Sequence, residues 1–553
     1  MPHIATPNSG RKRSWARALG DAAVSRALRL PKATSSYRVD EGLRVPMRDG
    51  IDLIADRYVP TGQALGTVLV RSPYGRRPPY SNLYAHVFAE RGYQVVMQSC
   101  RGTFGSGGVA PEISAEPNDA QDTVAWLREQ PWFTGTFATV GMSYLGWTQW
   151  ALLADAPEEL VASIIIVGPN DAGRLFRSTG ALALQSAVFW ANAVSTQEQH
   201  GWFTSLVIGA LTGKRRTTAA IDGVPLIDTA EKVFGKAAPY FREWAEHEDI
   251  TDAYWATNRV PVSESNVPTL LTGGWQDAFL EQTIDQYREL KTLGADVALT
   301  VGPWTHVETM INAGDIVTRE ALDWLDTHLA RRNQTGGRAA ARIFVTGTDE
   351  WRDLTSWPPA TSDQHWHLRS GGRLTRDEPS SPEPSSTFRY DPHDPTPSIG
   401  GRTLDAQAGR RDNRSREERD DVLTFTSAPL TGALEVAGIP TIELQHQSDN
   451  PFSDISVRIC EVDAQGVSTA IADAYLRLRE SHSVITLNAD PLHHVFSAGS
   501  RIRVQLAGGA YPQYDRNLGT GDPVATGTSM RSSDHRIPHG PVTPARITLP
   551  VVG

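Results

Sequence analysis

Short apolar runs alternate with stretches of helical character over the first third of the chain. The β-rich runs lie at 66–70, 94–97 and 161–167, and helix-favouring stretches lie at 84–91 and 116–130. Parallel strands need long crossover connections, which are usually helices, so this alternation predicts a parallel sheet covered by helices. We therefore predict an α/β core whose first part spans residues 41–170.

The β-rich runs stop between residues 171 and 256. Helix-favouring segments at 182–198, 229–234 and 241–248 take their place. The pattern predicts a helical cap over 171–256, inserted into the α/β core. Alternation resumes with β-rich runs at 267–272 and 296–301 and a helix at 319–331, which predicts the second part of the core over 257–340.

The character of the chain changes again after a Gly-Gly pair near residue 336. Turn residues separate short β-rich runs at 342–345, 365–368, 422–425, 441–444, 456–459, 483–487, 501–506 and 545–549. Regularly spaced short strands are typical of an all-β sandwich, which we predict over 341–553. The Pro-, Ser-, Asp- and Arg-rich stretch 376–420 is predicted to be a long surface loop.

Residues 1–40 form a basic extension before the core. A weakly amphipathic segment within it places Trp15, Leu19, Ala23 and Ala27 on one helical face. It has no continuous apolar centre, which argues against a secretory signal. Contact with an anionic membrane surface, packing on the body of the protein and flexibility all remain open for this segment.

Composition narrows the function classes. The chain has 553 residues, 40% of them hydrophobic and 21% charged, and a net charge of -10. These values predict a soluble protein of several domains and argue against nucleic-acid binding. The two cysteines, Cys100 and Cys460, lie far apart, so we expect no disulfide framework and a cytoplasmic location. No metal-binding motif and no apolar run of 18 residues occur, so we predict no metal, no other cofactor and no transmembrane helix.

The segment Gly141–Gly146 carries the strongest chemical signal. Ser143 lies between an apolar run at 137–140 and a helix-favouring stretch at 147–154. A serine among glycines at a strand-to-helix turn is typical of a nucleophile elbow, where the hydroxyl stands above the sheet. The backbone N–H of the next residue, Tyr144, would lie at the helix N-terminus, where it can stabilise a developing oxyanion.

A serine nucleophile needs a histidine base and an acid that orients it. Asp277 and His306 each follow a β-rich run and a Gly-containing turn, in the chain order Ser, Asp, His that α/β-hydrolases use. His328 is a competitor for the base, but it lies within a helical pattern. The sequence therefore predicts a triad of Ser143, Asp277 and His306.

Several further motifs resemble those of the CocE/NonD family of serine hydrolases, the cocaine esterase and X-Pro dipeptidyl-peptidase group. They are found at Arg44–Gly50, Arg71–Gly75, Arg101–Gly108, Gly141–Gly146, Gly274–Asp277, Gly302–His306, Tyr390–Pro397 and Tyr511–Asn517. The resemblance runs from about residue 40 to the end. It implies an α/β-hydrolase fold with an inserted helical cap and a C-terminal jelly-roll domain.

The resemblance also implies an oxyanion hole and a substrate pocket. Tyr74 would donate its phenolic O–H to the oxyanion beside the Tyr144 N–H. Aromatic residues near the motifs are candidates for an apolar pocket: Trp147, Phe189, Trp190 and Trp275.

These observations predict a serine hydrolase that cleaves ester or amide bonds, with a carboxylesterase favoured. An Xaa-Pro dipeptidyl peptidase and an α-amino-acid ester hydrolase are the alternatives, since the family includes both. Enzymes of the aminopeptidase type need carboxylates for the α-ammonium group of the substrate, and Glu248, Asp249 and Asp252 are candidates. A non-catalytic binding protein with a lectin-like β domain is the alternative from another class. We expect a small-molecule ester or peptide as partner and leave a homo-oligomer open.

Overall fold

The computed structural model describes residues 8–12, 15–109, 113–198, 215–235, 239–262, 265–332, 338–542 and 544–553. Within these residues, one sheet of eleven strands forms the first half of the protein, in the spatial order β1-β2-β3-β5-β4-β6-β7-β8-β9-β10-β11. The strands are β1 (Asn8–Lys12), β2 (Tyr37–Pro46), β3 (Asp52–Pro60), β4 (Thr67–Ser72), β5 (Gln94–Ser99), β6 (Phe137–Met142), β7 (Leu160–Ile166), β8 (Thr269–Gln276), β9 (Val297–Thr305), β10 (Ala341–Val345) and β11 (Glu350–Leu354). Strands β5 through β10 of this order pair in parallel, and the flanking pairs are antiparallel.

Apolar side chains cover both faces of this sheet. In β4, Val68 and Val70 join the hydrophobic core on one face, whereas Leu69 between them joins the core on the other. Side chains alternate along a strand, so a continuous apolar run is what a sheet buried on both faces requires. The helices and short helical turns of this region are Trp15–Ala27, Asn82–His86, Val87–Ala89, Ile113–Ala115, Glu116–Arg128, Tyr144–Leu153, Leu280–Thr292, His306–Ile311 and Gly314–His328.

A group of helices lies between β7 and β8. Its helices include Ala172–Arg177, Leu184–Thr196, Leu226–Phe234, Pro239–Glu246 and Ala253–Thr257. Apolar residues of these helices, such as Phe176, Leu184 and Trp244, share the core of the sheet face beneath them. We call this group the cap.

The C-terminal half is all-β and has a hydrophobic core of its own. Its described strands form a second sheet of eleven strands and a small sheet of three, in which β24 lies between β14 and β18. The strands are β12 (Thr361–Arg369), β13 (Arg373–Thr375), β14 (Glu383–Tyr390), β15 (Val422–Ser427), β16 (Leu434–Gly438), β17 (Thr441–Gln445), β18 (Gln447–Ser448), β19 (Ser453–Val462), β20 (Ser468–Leu478), β21 (Val484–Asn488), β22 (Leu492–Phe496), β23 (Arg501–Ala507), β24 (Ser533–His539) and β25 (Ala545–Val552). The predicted fold, an α/β-hydrolase with an inserted cap and a C-terminal jelly-roll domain, is confirmed.

Two details differ from the prediction. The strand expected at 342–345 forms, but β10 pairs in parallel with β9 and β11 pairs with β10, so both extend the first sheet and not the sandwich. The stretch 376–420 is not simply a surface loop, since it contains β14 and a helical turn at Arg414–Glu417. The middle of this stretch returns to the hydrolase core, where Leu404 is buried. The Gly-Gly pair near residue 336 lies outside the described residues.

The N-terminal helix packs through a different face from the one predicted. Leu19, Ala23 and Ala27 are exposed, and the side chain of Trp15 lies outside the described part of the chain. The buried face instead carries Asp21, which accepts hydrogen bonds from Tyr37 Oη at 2.7 Å and pairs with His86 Nδ1 at 2.7 Å. A buried polar group outweighs the weak apolar stripe here because it finds partners on β2 and on the helical turn Asn82–His86.

The β domain contacts the cap directly. The Leu182 N–H donates to Asp515 Oδ1 at 3.1 Å, and the Arg477 N–H donates to the Thr179 carbonyl at 2.8 Å. Tyr511 Oη donates to the Ile221 carbonyl at 2.8 Å. The cap is therefore held between the sheet below it and the β domain beside it.

Candidate active site

Ser143 lies at a strained turn between β6 and the helix Tyr144–Leu153. Its φ is 60° and its ψ is -124°, a backbone conformation that residues other than glycine rarely adopt. The Ser143 N–H donates to the Ile166 carbonyl at 2.9 Å, which fixes the turn to the end of β7. Strain of this kind persists only where the surroundings enforce it, and here it exposes the hydroxyl above the sheet.

Two glycines allow the helix to cross the sheet this closely. A Cβ added at Gly146 would lie 2.5 Å from Gly168 Cα and 3.1 Å from Ile165 Cγ2. A Cβ at Gly141 would lie 2.3 Å from Leu145 Cβ. The predicted glycine requirement of the elbow thus has a steric cause at both positions.

The other two predicted triad residues meet Ser143 at the same sheet edge. Gln276 and Thr305 are paired across β8 and β9, so Asp277 and His306 follow two neighbouring positions of the ladder. His306 Nδ1 lies 2.6 Å from Asp277 Oδ2, and His306 Nε2 lies 3.1 Å from Ser143 Oγ. A carboxylate can only accept, so Nδ1 carries the proton and Nε2 is free to accept the serine proton.

Local hydrogen bonds fix both residues. Asp277 is fully buried, and its second oxygen accepts the Phe279 N–H at 2.7 Å. His306 begins a helix whose N-cap, Thr305, forms a capping box with Glu308. The competing histidine, His328, lies at the end of another helix, 3.9 Å from Asp296 and with its ring tilted against that of Trp324. The structure therefore brings together the three predicted residues and leaves His328 elsewhere.

Tyr74 and Tyr144 both border Ser143. The Tyr74 hydroxyl interacts with the Ser143 hydroxyl and accepts a hydrogen bond from Trp190 Nε1 at 3.3 Å. Burial raises the pKa of Tyr74 above its ordinary value, and burial raises that of Tyr144 well above it. Both phenols therefore stay protonated at neutral pH, and Tyr74 can act as a donor.

A buried ion pair supports the Tyr144 side of the elbow. Tyr144 Oη donates to Glu116 Oε1 at 3.1 Å, and Arg71 NH2 lies 2.8 Å from Glu116 Oε2. Both charged side chains are almost fully buried. The chain reaches Tyr74 three residues after Arg71, so one ion pair holds the segments that carry both tyrosines.

An apolar cavity of about 50 Å³ opens beside Ser143. It is lined by Ile113, Ser143, Tyr144, Trp147, Pro169, Ala172, Leu175, Phe176, Trp190, Trp244, Phe279 and Leu404. None of these twelve residues carries a formal charge. The cavity can therefore hold an uncharged, apolar group next to the hydroxyl.

Of the four residues predicted to line the pocket, two line the cavity and two do not. Trp147 and Trp190 line the cavity. Trp275 does not, because its indole N–H donates to the Phe344 carbonyl at 2.6 Å and its ring packs against Trp357 in the core. Phe189 is the neighbour of Trp190 on the same helix, and it packs into the sheet core without lining the cavity.

Sequence reasoning missed several lining residues. Phe279 lies two positions after Asp277 and packs edge-on against His306, so its proximity to the triad was a usable signal. Phe176 and Trp244, whose rings stack at 4.2 Å, belong to separate cap helices. Leu404 comes from the stretch that was predicted to be a surface loop. The positions of Phe176, Trp244 and Leu404 depend on long-range packing, which no local pattern specifies.

The carboxylates proposed for an α-ammonium group lie away from the cavity. Glu248 accepts the Val524 N–H at 2.9 Å and pairs with Arg479 at 2.9 Å. Asp249 and Asp252 accept local hydrogen bonds near the helix Ala253–Thr257. All three therefore have structural partners.

Further carboxylates lie in a second cavity, which shares the walls Leu175 and Phe176 with the first. Glu281 and Asp490 line it, and Arg402 pairs with both, at 2.6 Å in the case of Glu281. Arg402 gives both carboxylates an ion-pair partner, and neither carboxylate lines the cavity beside Ser143.

The structure also bears on metal binding and on membrane spanning. Among the described residues, no group of three or more His, Cys, Asp or Glu side chains is arranged to hold a metal ion. No helix in the part of the chain that the structure describes has the length and apolar character needed to cross a membrane.

Two protein-family models together match most of the chain. Residues 49–308 match the X-Pro dipeptidyl-peptidase (S15 family) description. Residues 331–548 match the X-Pro dipeptidyl-peptidase C-terminal non-catalytic domain. The second match begins before β10, so it includes the last two strands of the first sheet as well as the β sandwich.

Individual relatives agree with this placement. The chain is 30% identical to cocaine esterase from Rhodococcus sp. (strain MB1 Bresler), covering 94% of this chain and 99% of that protein. An aminopeptidase from the marine sediment archaeon Thaumarchaeota archaeon superposes with a TM-score of 0.79 at 21% identity, covering 95% and 98% of the two chains. An α-amino acid ester hydrolase superposes with a TM-score of 0.76 at 23% identity, covering 94% and 98%. At these identities the two structures support the fold.

The contact between Gly146 and Gly168 yields a test of the elbow. Gly146→Ala should lower the free energy of unfolding by about 1–3 kcal/mol, because the added methyl group meets backbone that cannot move aside. Gly20→Ala is the matched control, since no atom lies within 4 Å of a Cβ on that helical glycine. The control should be neutral or slightly stabilising. Thermal and denaturant unfolding measure both, and equal stability of the two variants would contradict the steric account.

Proposed function

Because the chain belongs to the serine hydrolase family of cocaine esterase and the X-Pro dipeptidyl-peptidases, we propose that Ser143, His306 and Asp277 form its catalytic triad and that it hydrolyses carboxylic esters. The observation that carries the proposal is the unbroken hydrogen-bonded chain from Asp277 through His306 to Ser143. The alternative of a non-catalytic binding protein is set aside, because the chain is a serine hydrolase.

The triad geometry gives each residue a role. His306 Nε2 removes the proton of Ser143 while Oγ attacks the ester carbonyl, and the same nitrogen then protonates the departing alkoxide. Asp277 holds the imidazole and stabilises the imidazolium that forms. Water, activated by His306, attacks the resulting acyl-enzyme and releases the acid, which regenerates Ser143.

Two donors are proposed for the oxyanion of the tetrahedral intermediate. One is the Tyr74 hydroxyl, whose own oxygen already accepts from Trp190, so its proton is available to a second acceptor. The other is the Tyr144 N–H at the first position of its helix. Donors fixed in advance stabilise the charge without reorganising at the moment of reaction.

The cavity lining favours an esterase over an enzyme of the aminopeptidase type. An α-ammonium group would enter an apolar cavity whose twelve described lining residues include no carboxylate, and burying an unpaired charge is costly. A volume of about 50 Å³ suits a short acyl chain. The Xaa-Pro dipeptidyl peptidase and α-amino-acid ester hydrolase activities are retained as alternatives because the family and fold relatives include such enzymes.

Location and assembly also belong to the proposal. Cys100 and Cys460 are buried and unpaired, which is consistent with a reducing, cytoplasmic environment. A small-molecule ester is the proposed partner and no role in nucleic-acid binding is proposed, in keeping with the net charge of -10. A homo-oligomer stays an open prediction.

Substrate panels test the proposed class. We expect turnover of p-nitrophenyl butyrate to exceed that of the octanoate ester, because the cavity volume is only about 50 Å³. Hydrolysis of Xaa-Pro-p-nitroanilides should be much slower, since the cavity offers no carboxylate for a free α-ammonium. A matched pair of esters, one of an amino acid and one of its des-amino analogue, isolates the charge. Preference for the charged member would contradict the esterase assignment.

Substitution of the triad tests the proposed chemistry. Ser143→Ala should reduce ester hydrolysis to near background without unfolding the protein, because it removes one oxygen and little packing. His306→Ala should cost about as much, since nucleophile and base act as a unit. His328→Ala is the matched control and should retain activity. Labelling by a fluorophosphonate probe that persists in Ser143→Ala would identify a different nucleophile.

Tyr74→Phe tests the oxyanion hole. It keeps the ring and deletes one donor, so kcat should fall by about 10²–10³, with KM little changed. Tyr80→Phe is the matched control, because that ring stacks on Tyr74 at 5.4 Å but does not line the cavity. Steady-state kinetics and thermal unfolding are measured for both. Lower stability with near-normal kcat in Tyr74→Phe would show a structural role instead.

A further inference from the structure

One cap residue, Trp190, contacts the hydroxyl of Tyr74 and the ring of Tyr144, the two residues proposed to supply the oxyanion donors. Its indole N–H donates to Tyr74 Oη at 3.3 Å. Its ring also stacks on the ring of Tyr144, with centroids 6.3 Å apart and planes 10° from parallel. We propose that Trp190 is a positioning residue for the oxyanion hole, acting through Tyr74, in addition to lining the cavity. The inference rests on the oxyanion role proposed for Tyr74.

The direction of the hydrogen bond between Trp190 and Tyr74 determines where the phenolic proton can point. An indole N–H can only donate, so Tyr74 Oη must be the acceptor. With that lone pair engaged, the phenolic proton of Tyr74 points away from the indole and stays available to an acceptor. A hydrogen bond accepted at the oxygen also polarises the O–H bond and strengthens its donation. Trp190 thereby both orients and strengthens the proposed oxyanion donor.

Packing holds the indole in this orientation. Tyr240 meets the Trp190 ring edge-on at 5.1 Å, and Trp244 lies against it at 5.4 Å. Both come from the cap helix Pro239–Glu246, whereas Trp190 comes from Leu184–Thr196. The relative placement of two cap helices therefore sets the direction of the N–H that reaches Tyr74.

A second tryptophan of the same cavity offers a matched control. Trp147 lines the cavity beside Ser143, yet its indole N–H has no hydrogen-bond partner within the part of the chain that the structure describes. Replacing either tryptophan by phenylalanine enlarges the cavity in a similar way. Only the change at Trp190 removes a hydrogen bond to Tyr74.

A double-mutant cycle tests the proposal, with p-nitrophenyl butyrate as the probe. Trp190→Phe should lower kcat about five- to tenfold, the size expected for one neutral hydrogen bond, and Trp147→Phe should alter mainly KM. In the Tyr74→Phe background, Trp190→Phe should change kcat by less than twofold, because its route to the oxyanion is already gone. Trp190→Leu supplies a second side chain without an N–H if the first variant does not fold.

The outcomes separate this inference from the proposed function. If Tyr74→Phe lowers kcat but Trp190→Phe costs the same in both backgrounds, Trp190 acts through cavity shape and the positioning role is overturned. If Trp190→Phe leaves kcat unchanged while Tyr74→Phe lowers it, the positioning role fails and the role of Tyr74 stands. If Tyr74→Phe itself has no effect on kcat, both the oxyanion role and the inference fail.

Discussion

The close crossing of the helix Tyr144–Leu153 over the end of β7 is the constraint on which the site depends. Gly146 and Gly168 meet there with no room for a side chain. This contact, with the hydrogen bond from Ser143 to Ile166, keeps Ser143 at a positive φ that would otherwise relax. Because the same helix begins at Tyr144, one packing contact places both the hydroxyl and the adjacent N–H.

The sheet positions the proposed triad residues, and several regions together form the cavity. Asp277 and His306 follow paired residues of β8 and β9, so strand register alone brings them side by side. The cavity walls come from three regions: the core supplies residues such as Trp147 and Phe279, the cap supplies Phe176, Trp190 and Trp244 among others, and the β domain supplies Leu404. Arg402 ties that segment to Glu281 on the helix after β8. The shape of the substrate site can therefore change with the cap while the triad geometry stays fixed.

The sequence predicted what local pattern and chain order determine. The elbow glycines, the order of Ser143, Asp277 and His306, and the alternation of strands and helices all leave local signals, and the structure has each of them. The lining residues were predicted less well, because an aromatic near a motif can face either side of the sheet. Trp275 shows this, because it lies within β8 and its ring packs against Trp357 in the core. The placement of β10 likewise depends on pairing with β9, which an isolated β-rich run does not reveal.

An uncharged cavity lining also serves the proposed chemistry. The tetrahedral intermediate carries a negative charge beside Ser143, and in a poorly solvated site both attraction and repulsion are stronger than in water. A carboxylate on the cavity wall would attract an α-ammonium group but would also oppose the oxyanion. Here Glu116 pairs with Arg71, and Glu281 and Asp490 both pair with Arg402. In the proposed mechanism the charge that develops on the substrate meets no carboxylate among the described lining residues, and the proposed donor Tyr74, kept protonated by burial, contacts the cap through Trp190.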